Sequence, residues 1–162
     1  MTLSRKLKNW ELAAYASPAA PLAMLVLPVH AYLPALYATE LNLSLIGVGL
    51  TLLAARLLDV ITDPLLGLMM DRFRNKLEFR YWAIIGLPCT SLSCYYLFFP
   101  ANDPTLRYLF GWSMMLYVGW TMLILPLYAW GAELSGTYHG RTRITGAREA
   151  AVVAGVLTAC II

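Results

Sequence analysis

Arg56, Asp59 and Asp63 stand inside an otherwise apolar run that ends at Met70. At about 100° per residue, these three and Gly67 fall within an arc of about 80° on one side of a helix. A charge at mid-membrane costs about 2.5–3.5 kcal/mol even on the mildest insertion scale. Such residues must therefore face a bundle interior or a wet cavity, and they must interact with one another. Two carboxylates one turn apart can share a proton, or they can offer oxygen ligands to Na⁺, a hard cation. Desolvation and mutual repulsion disfavour ionising both. Arg56 balances only one of them, so a negative charge is left for a cation to cancel, and the pair titrates as a unit. The expected chemistry is reversible binding of H⁺ or Na⁺ at Asp59 and Asp63, with no cofactor.

Other chemistries find no residues to carry them. The chain has no His-Glu-x-x-His and no Gly-x-Ser-x-Gly pattern, so it is not expected to be an enzyme. Cys89, Cys94 and Cys160 all lie in apolar segments without metal-ligand spacing, and His30 and His139 are far apart. His30 reads as a hydrogen-bonded packing residue. A net charge of +3 is too small, and the basic residues too segregated, for nucleic acid.

The elements that must position the carboxylates are membrane helices. Of 162 residues, 60% are hydrophobic and 13% charged, and the mean hydropathy is +0.65. Soluble domains carry about 25% charged residues. Apolar segments recur along the whole chain, at about 12–37, 45–70, 81–99, 108–133 and 144–162. The first contains Pro18, Pro21, Pro28 and Pro34, so it must be bent or broken and supported by neighbours. The basic start, with Arg5, Lys6 and Lys8, leads into an apolar run too long for a signal peptide, which reads as a retained first span. The expected fold is an all-α membrane protein: one domain over 1–162, with four transmembrane helices and a truncated fifth. Basic residues concentrate in the N-terminus, in the link with Arg72, Arg74, Lys76 and Arg80, and in the link with Arg141 and Arg143. The alternate links nearly lack them. The positive-inside rule then places the N-terminus in the cytoplasm of a multi-pass cell-membrane protein.

Four segments carry a resemblance. GLMMDRFRNK, with Gly67, Asp71, Arg72, Arg74 and Lys76, resembles the signature loop G-x-x-x-D-R-x-G-R-K of the major facilitator superfamily, with Arg74 where the pattern has Gly. Gly67 would allow close helix approach. Asp71, near a helix C-terminus and therefore unfavourably placed in the dipole, calls for a basic partner. LLAARLLDVITDPLLG from Leu52 matches R-x-x-D-x-x-x-D-P-x-x-G. PLYAWGAEL from Pro126 and RTRITGAR from Arg141 match P-Y-x-A-x-G-x-E-L and R-T-R-L-x-x-x-R. Together these resemble the glycoside–pentoside–hexuronide:cation symporters, the melibiose-carrier group.

That resemblance implies the N-terminal six-helix half of a transporter whose two halves hold the solute between them. It implies a coupling cation at Asp59 and Asp63 with help from Thr121. It implies a solute site with Tyr128 stacking on a sugar ring and Arg148 reaching it; Arg56 is placed on the solute side with them. On the residues alone, Thr121 and Tyr128 read equally well as packing. The first span holds no acid, and Ile124 stands where the melibiose carrier has a carboxylate, which argues against a galactoside-type sugar. Asp59 and Asp63 are expected to be the only acids of the central membrane layer. The expected function is the N-terminal part of a H⁺- or Na⁺-coupled symporter for a sugar or related small solute, working by alternating access. The expected partners are the bilayer, the solute, and a C-terminal half or second chain. A superfamily transporter of a non-sugar or amphiphilic substrate, or a truncated, non-transporting membrane remnant, are the alternatives.

The loop assignment is directly testable. In a background lacking Cys89, Cys94 and Cys160, Asn75→Cys and Asn102→Cys should label with an impermeant thiol reagent from opposite sides of the membrane. Labelling of both from one side would sink the span order.

Overall fold

The computed structural model describes residues 8–73, 79–100, 103–134 and 138–161, and no strand occurs among them. The chain enters at α1 (Asn9–Ala16), where the Lys8 backbone N–H donates to Glu11 Oε2 at 2.8 Å. That bond satisfies a donor just ahead of the helix. A turn at Ser17 and Pro18 leads to α2 (Ala19–Leu27). The prolines then act as expected, because a proline has no N–H and its ring clashes with the carbonyl four residues back. The helix answers by widening: a π segment, Pro28–Tyr32, gives way to α3 (Leu33–Ala35) and a second π segment, Leu36–Glu40. Asn42 closes the run in the left-handed region, at φ 54°. Asn tolerates that conformation better than most residues. The expected first span of 12–37 is therefore a broken helical path, apolar over Asn9–Glu40. His30 is hydrogen-bonded as expected, its Nδ1–H donating to the Val26 carbonyl at 2.9 Å, but it is exposed rather than packed.

Three long helices and a shorter one follow: α4 (Leu45–Phe73), α5 (Phe79–Phe98), α6 (Leu106–Glu133) and α7 (Tyr138–Ile161). By length and composition, four helical stretches can cross a membrane: Asn9–Glu40, Leu45–Phe73, Leu106–Glu133 and His139–Ile161. The 20 residues of α5 make about 30 Å of helix, the thickness of the hydrocarbon core. Thr90, Ser91, Ser93, Tyr95 and Tyr96 dilute its hydropathy. The last helix begins six residues before the expected 144, because backbone hydrogen bonding continues through polar residues ahead of the apolar run.

The chain divides into two compact units, Met1–Tyr32 with Tyr128–Ile162, and Leu33–Leu127. In the first, α1 and α2 pack on α7. Leu12, Tyr15, Ala16, Ala19 and Ala23 form the buried stripe, at spacings that keep to one face. Gly155 of α7 lies against the Ala20 carbonyl, where a side chain would collide with backbone. Arg143 Nη2 donates to Asn9 Oδ1 at 3.1 Å.

In the second unit, α5 and α6 meet through small residues. A Cβ at Gly86 would sit 2.8 Å from Met122 Cβ and 2.9 Å from the Gly119 carbonyl. One at Gly119 would sit 2.7 Å from Thr90 Oγ1 and 2.9 Å from the Thr90 backbone nitrogen. Small residues give two membrane helices the close approach that lipid, as apolar as leucine, does not drive. The hydroxyls on this face are spent locally: Thr90 donates to the Gly86 carbonyl at 2.9 Å and Ser93 to the Cys89 carbonyl at 2.7 Å. Tyr96 stacks on Trp112 with ring centroids 4.4 Å apart, and the Tyr108 hydroxyl donates to the Tyr96 carbonyl at 2.7 Å. Most of α4 stays apolar on its outer side, with Leu50, Leu53, Leu57, Val60, Ile61, Leu65 and Leu68 exposed. Its buried residues are Val48, Ala55, Asp59 and Met70.

This close approach sets a prediction. Gly119→Ala gains up to about 1 kcal/mol of helix propensity, but it drives a methyl into backbone, and overpacking costs about 1–3 kcal/mol. Thermal unfolding in detergent should show Gly119→Ala destabilised. Gly49→Ala, which meets nothing within 4 Å, should be neutral or stabilised. Equal melting of the two variants would contradict the α5–α6 contact.

Candidate functional site

The polar residues sit at the middles of their helices. In the second unit, Asp59 is the central residue of α4, and Thr121 lies within two residues of the centre of α6. Asp59 is 6% exposed. Its Oδ2 pairs with Arg56 Nη1 at 3.0 Å, one helical turn away. The Arg56 side chain is 58% exposed, and its guanidinium carbon lies 5.3 Å from the centre of the Tyr117 ring. Asp59 Oδ1 is buried with no hydrogen-bond partner. Asp63, half-buried one turn on, acts electrostatically on Asp59. The hydroxyl of Thr121 donates to Asp63 Oδ1 at 2.5 Å. The structure thus brings together Arg56, Asp59 and Asp63, as their spacing on one helix requires, and sets Thr121 of α6 against Asp63.

The arrangement leaves work undone. Arg56 holds one oxygen of Asp59 and the aromatic face of Tyr117; Thr121 holds one oxygen of Asp63. A buried carboxylate oxygen without a donor is costly, more so for a charged group than for a neutral one. A proton on that oxygen, or a cation beside it, would supply what it lacks. Thr121 keeps lone pairs free while donating, so its oxygen can face a cation at the same time.

In the first unit, Arg148 and Glu149 lie within two residues of the centre of the span His139–Ile161. Glu149 corrects the expectation that Asp59 and Asp63 are the only acids of the central layer. Arg148 Nη2 and Nε both donate to Glu149 Oε1, at 2.5 Å and 3.2 Å. The guanidinium carbon stands 4.4 Å from the centre of the Tyr128 ring, a cation–π contact. The Tyr15 phenol hydrogen-bonds to Arg148 as well. Gly131 makes room for it, since a Cβ there would overlap the Tyr15 hydroxyl. Arg148 and Tyr128 therefore meet, as expected, and Tyr15, Gly131 and Glu149 join them. Glu149 carries the same signal that marks Asp59, a charge within an apolar run. Tyr15 carries none, since an aromatic on an apolar helix reads as packing.

The signature loop is partly described. Among the described residues, a Cβ at Gly67 would meet nothing within 4 Å. Asp71 and Arg72 are exposed in the last turn of α4, and among the described residues Asp71 has no basic partner. Arg72 suits the negative end of the helix dipole. Arg74 and Lys76 lie outside the described residues. A groove of about 350 Å³ between α4 and α6, lined by Leu50, Thr51, Ala54, Leu106, Arg107 and Phe110, contains none of the carboxylates.

Comparison with known proteins agrees with the all-α membrane architecture. No solved structure matches the chain. The family model described as MFS/sugar transport protein matches residues 14–162, from the first broken span through α7. The match extends over α4 and α7, the two helices that carry charge near their middles. This chain belongs to the MFS/sugar transport protein family of the major facilitator superfamily, a family of multi-pass membrane transporters.

Proposed function

We propose that this protein is a secondary symporter of the melibiose-carrier type, driving a sugar or related small solute with a gradient of H⁺ or Na⁺. Asp59 and Asp63 hold the coupling cation, with Thr121 as the third oxygen. Tyr128 and Arg148 hold the solute, with Arg56, which also balances part of the charge of Asp59 and Asp63. The N-terminus is cytoplasmic, and transport proceeds by alternating access against a second helical bundle.

The observation that supports this reading is the buried Asp59 carboxylate at the centre of α4, with one oxygen on Arg56 and the other on nothing. Two carboxylates face one guanidinium in this cluster, so it holds one acidic group more than Arg56 can balance. Binding one monovalent cation balances that group. A neutral layer can pass through an occluded, dry state that a charged one resists. Ion occupancy would thereby license the conformational change, which is what coupling requires.

The test separates ion coupling from solute binding. In the full-length protein, Asp59→Asn and Asp63→Asn should each lower gradient-driven uptake of a labelled hexose or glycoside at least tenfold in proteoliposomes, while solute binding or exchange survives. Tyr128→Ala should do the converse. Loss of the stacking contact, worth about 0.5–1.5 kcal/mol beyond area burial, should weaken solute affinity several-fold while ion binding holds. Full gradient-driven accumulation by both Asp variants would make the pair structural.

A further inference from the structure

Glu149 has no role in the function proposed so far, yet it places a carboxylate at the middle of a membrane span. Neighbours on a helix point about 100° apart and do not face one another. Arg148 and Glu149 meet only because the long arginine chain lies across to its neighbour. Two guanidinium nitrogens reach one carboxylate oxygen, Oε1, at 2.5 Å and 3.2 Å. The guanidinium is thereby held on three sides: by Glu149, by the Tyr128 ring at 4.4 Å and by Tyr15. The Arg148 side chain is 19% exposed and that of Glu149 55%. The carboxylate is thus the open edge of the cluster, and Tyr128 is open beside it, 45% exposed.

We propose that Glu149 sets the charge of the solute, making this cradle selective for a neutral polyhydroxy ligand over an anionic one. The inference rests on the reading of Tyr128 and Arg148 as solute-binding residues. Arg148 and Glu149 cancel, so the cradle has no net charge to offer an anion. A carboxylate-bearing solute would have to displace Glu149 from Arg148 or sit beside it as a like charge, and like charges brought together at an interface are strongly disfavoured. A hydroxyl both donates and accepts. The pair offers both functions at one place: guanidinium N–H groups and a carboxylate oxygen. The open part of the Tyr128 ring adds an apolar surface for sugar C–H groups. Without the Glu149 charge, Arg148 would keep its full positive charge and its fork of donors, the arrangement that binds carboxylates bidentately.

Matched nitrophenyl glycosides and glycuronides of the gluco and galacto series differ by one carboxylate, and they serve as probes. Binding to the full-length protein in nanodiscs at pH 7 should favour the neutral partner at least tenfold. Glu149→Gln, nearly the same in volume, should shift the affinity ratio at least tenfold toward the glycuronide. Glu149→Asp should restore the original ratio, which a purely structural role would not require. Where Glu149→Gln does not yield monodisperse protein, Glu149→Ser must give the same shift. An unchanged ratio in the charge-free variant overturns the assignment, as does a wild-type preference for the glycuronide. If the wild type binds none of the four probes, the glycoside reading of the solute site falls and this inference falls with it. Binding of a neutral probe with no shift on substitution defeats only the role of Glu149.

Discussion

A carboxylate at the centre of a helix built to cross a membrane must find its charge balance inside the protein, and Asp59 finds only part of it. Arg56 takes one oxygen at 3.0 Å, while the other is buried and bare. Arg56 itself is shared, since its guanidinium also lies over Tyr117. More than half of its side chain is exposed, so its contribution is weakened wherever water reaches it. Asp63 gains a donor from Thr121 but adds a second negative charge one turn away. The cluster is over-supplied with acceptors and under-supplied with positive charge. An apolar residue at Asp59 would leave no buried oxygen to satisfy; on the proposed reading, the imbalance is what a coupling cation relieves.

Keeping that imbalance in place falls to contacts that owe little to the hydrophobic effect. Between helices in lipid, association depends on close packing and on satisfied polar groups. Gly86, Gly119 and Thr90 bring α5 and α6 together in the unit that holds the carboxylates. Gly155 against the Ala20 carbonyl does the same for α2 and α7 in the other unit. On α5, Thr90 and Ser93 donate to carbonyls of their own helix, whereas Ser113 Oγ of α6 is buried without a partner. The first span is the opposite case. Its prolines force two π segments, which are frequent near functional sites because they widen the helix and release carbonyls from regular bonding.

What the sequence made legible follows from how local each signal is. Helix positions came from apolar runs, and α4 was legible almost to its ends for that reason. The clustering of Arg56, Asp59 and Asp63 followed from helical period alone. Their meeting with Thr121, 58 residues beyond Asp63, needed a resemblance, because no local rule brings α6 to α4. The π segments were illegible in detail: four prolines predict a broken helix, but whether it kinks or widens depends on neighbours. Glu149 was missed for a different reason. The resemblance singles out Arg148 and says nothing of the acid next to it in sequence. The same test that singled out Asp59, a charge at mid-span that must have a partner, applies equally to Glu149.

The two charged clusters differ in sign balance, and that difference bears on how coupling would work. Arg56, Asp59 and Asp63 together leave one negative charge, whereas Arg148 and Glu149 leave none. On the proposed reading, the ion therefore brings charge that the protein lacks, while the solute brings none. An anionic solute would upset this balance, because a bound cation would then be answered twice, once by the carboxylates and once by the solute. A neutral solute leaves the carboxylates as the only counter-charge for the ion. The neutralisation of the midspan layer then depends on ion occupancy alone. Solute occupancy acts through shape and hydrogen bonding, at Tyr15, Tyr128 and the Arg148–Glu149 pair. Coupling between the two requires no direct contact of ion and solute. It requires only that the dry, occluded state tolerate neither an unbalanced Asp59 nor an unfilled hydrogen-bonding pair.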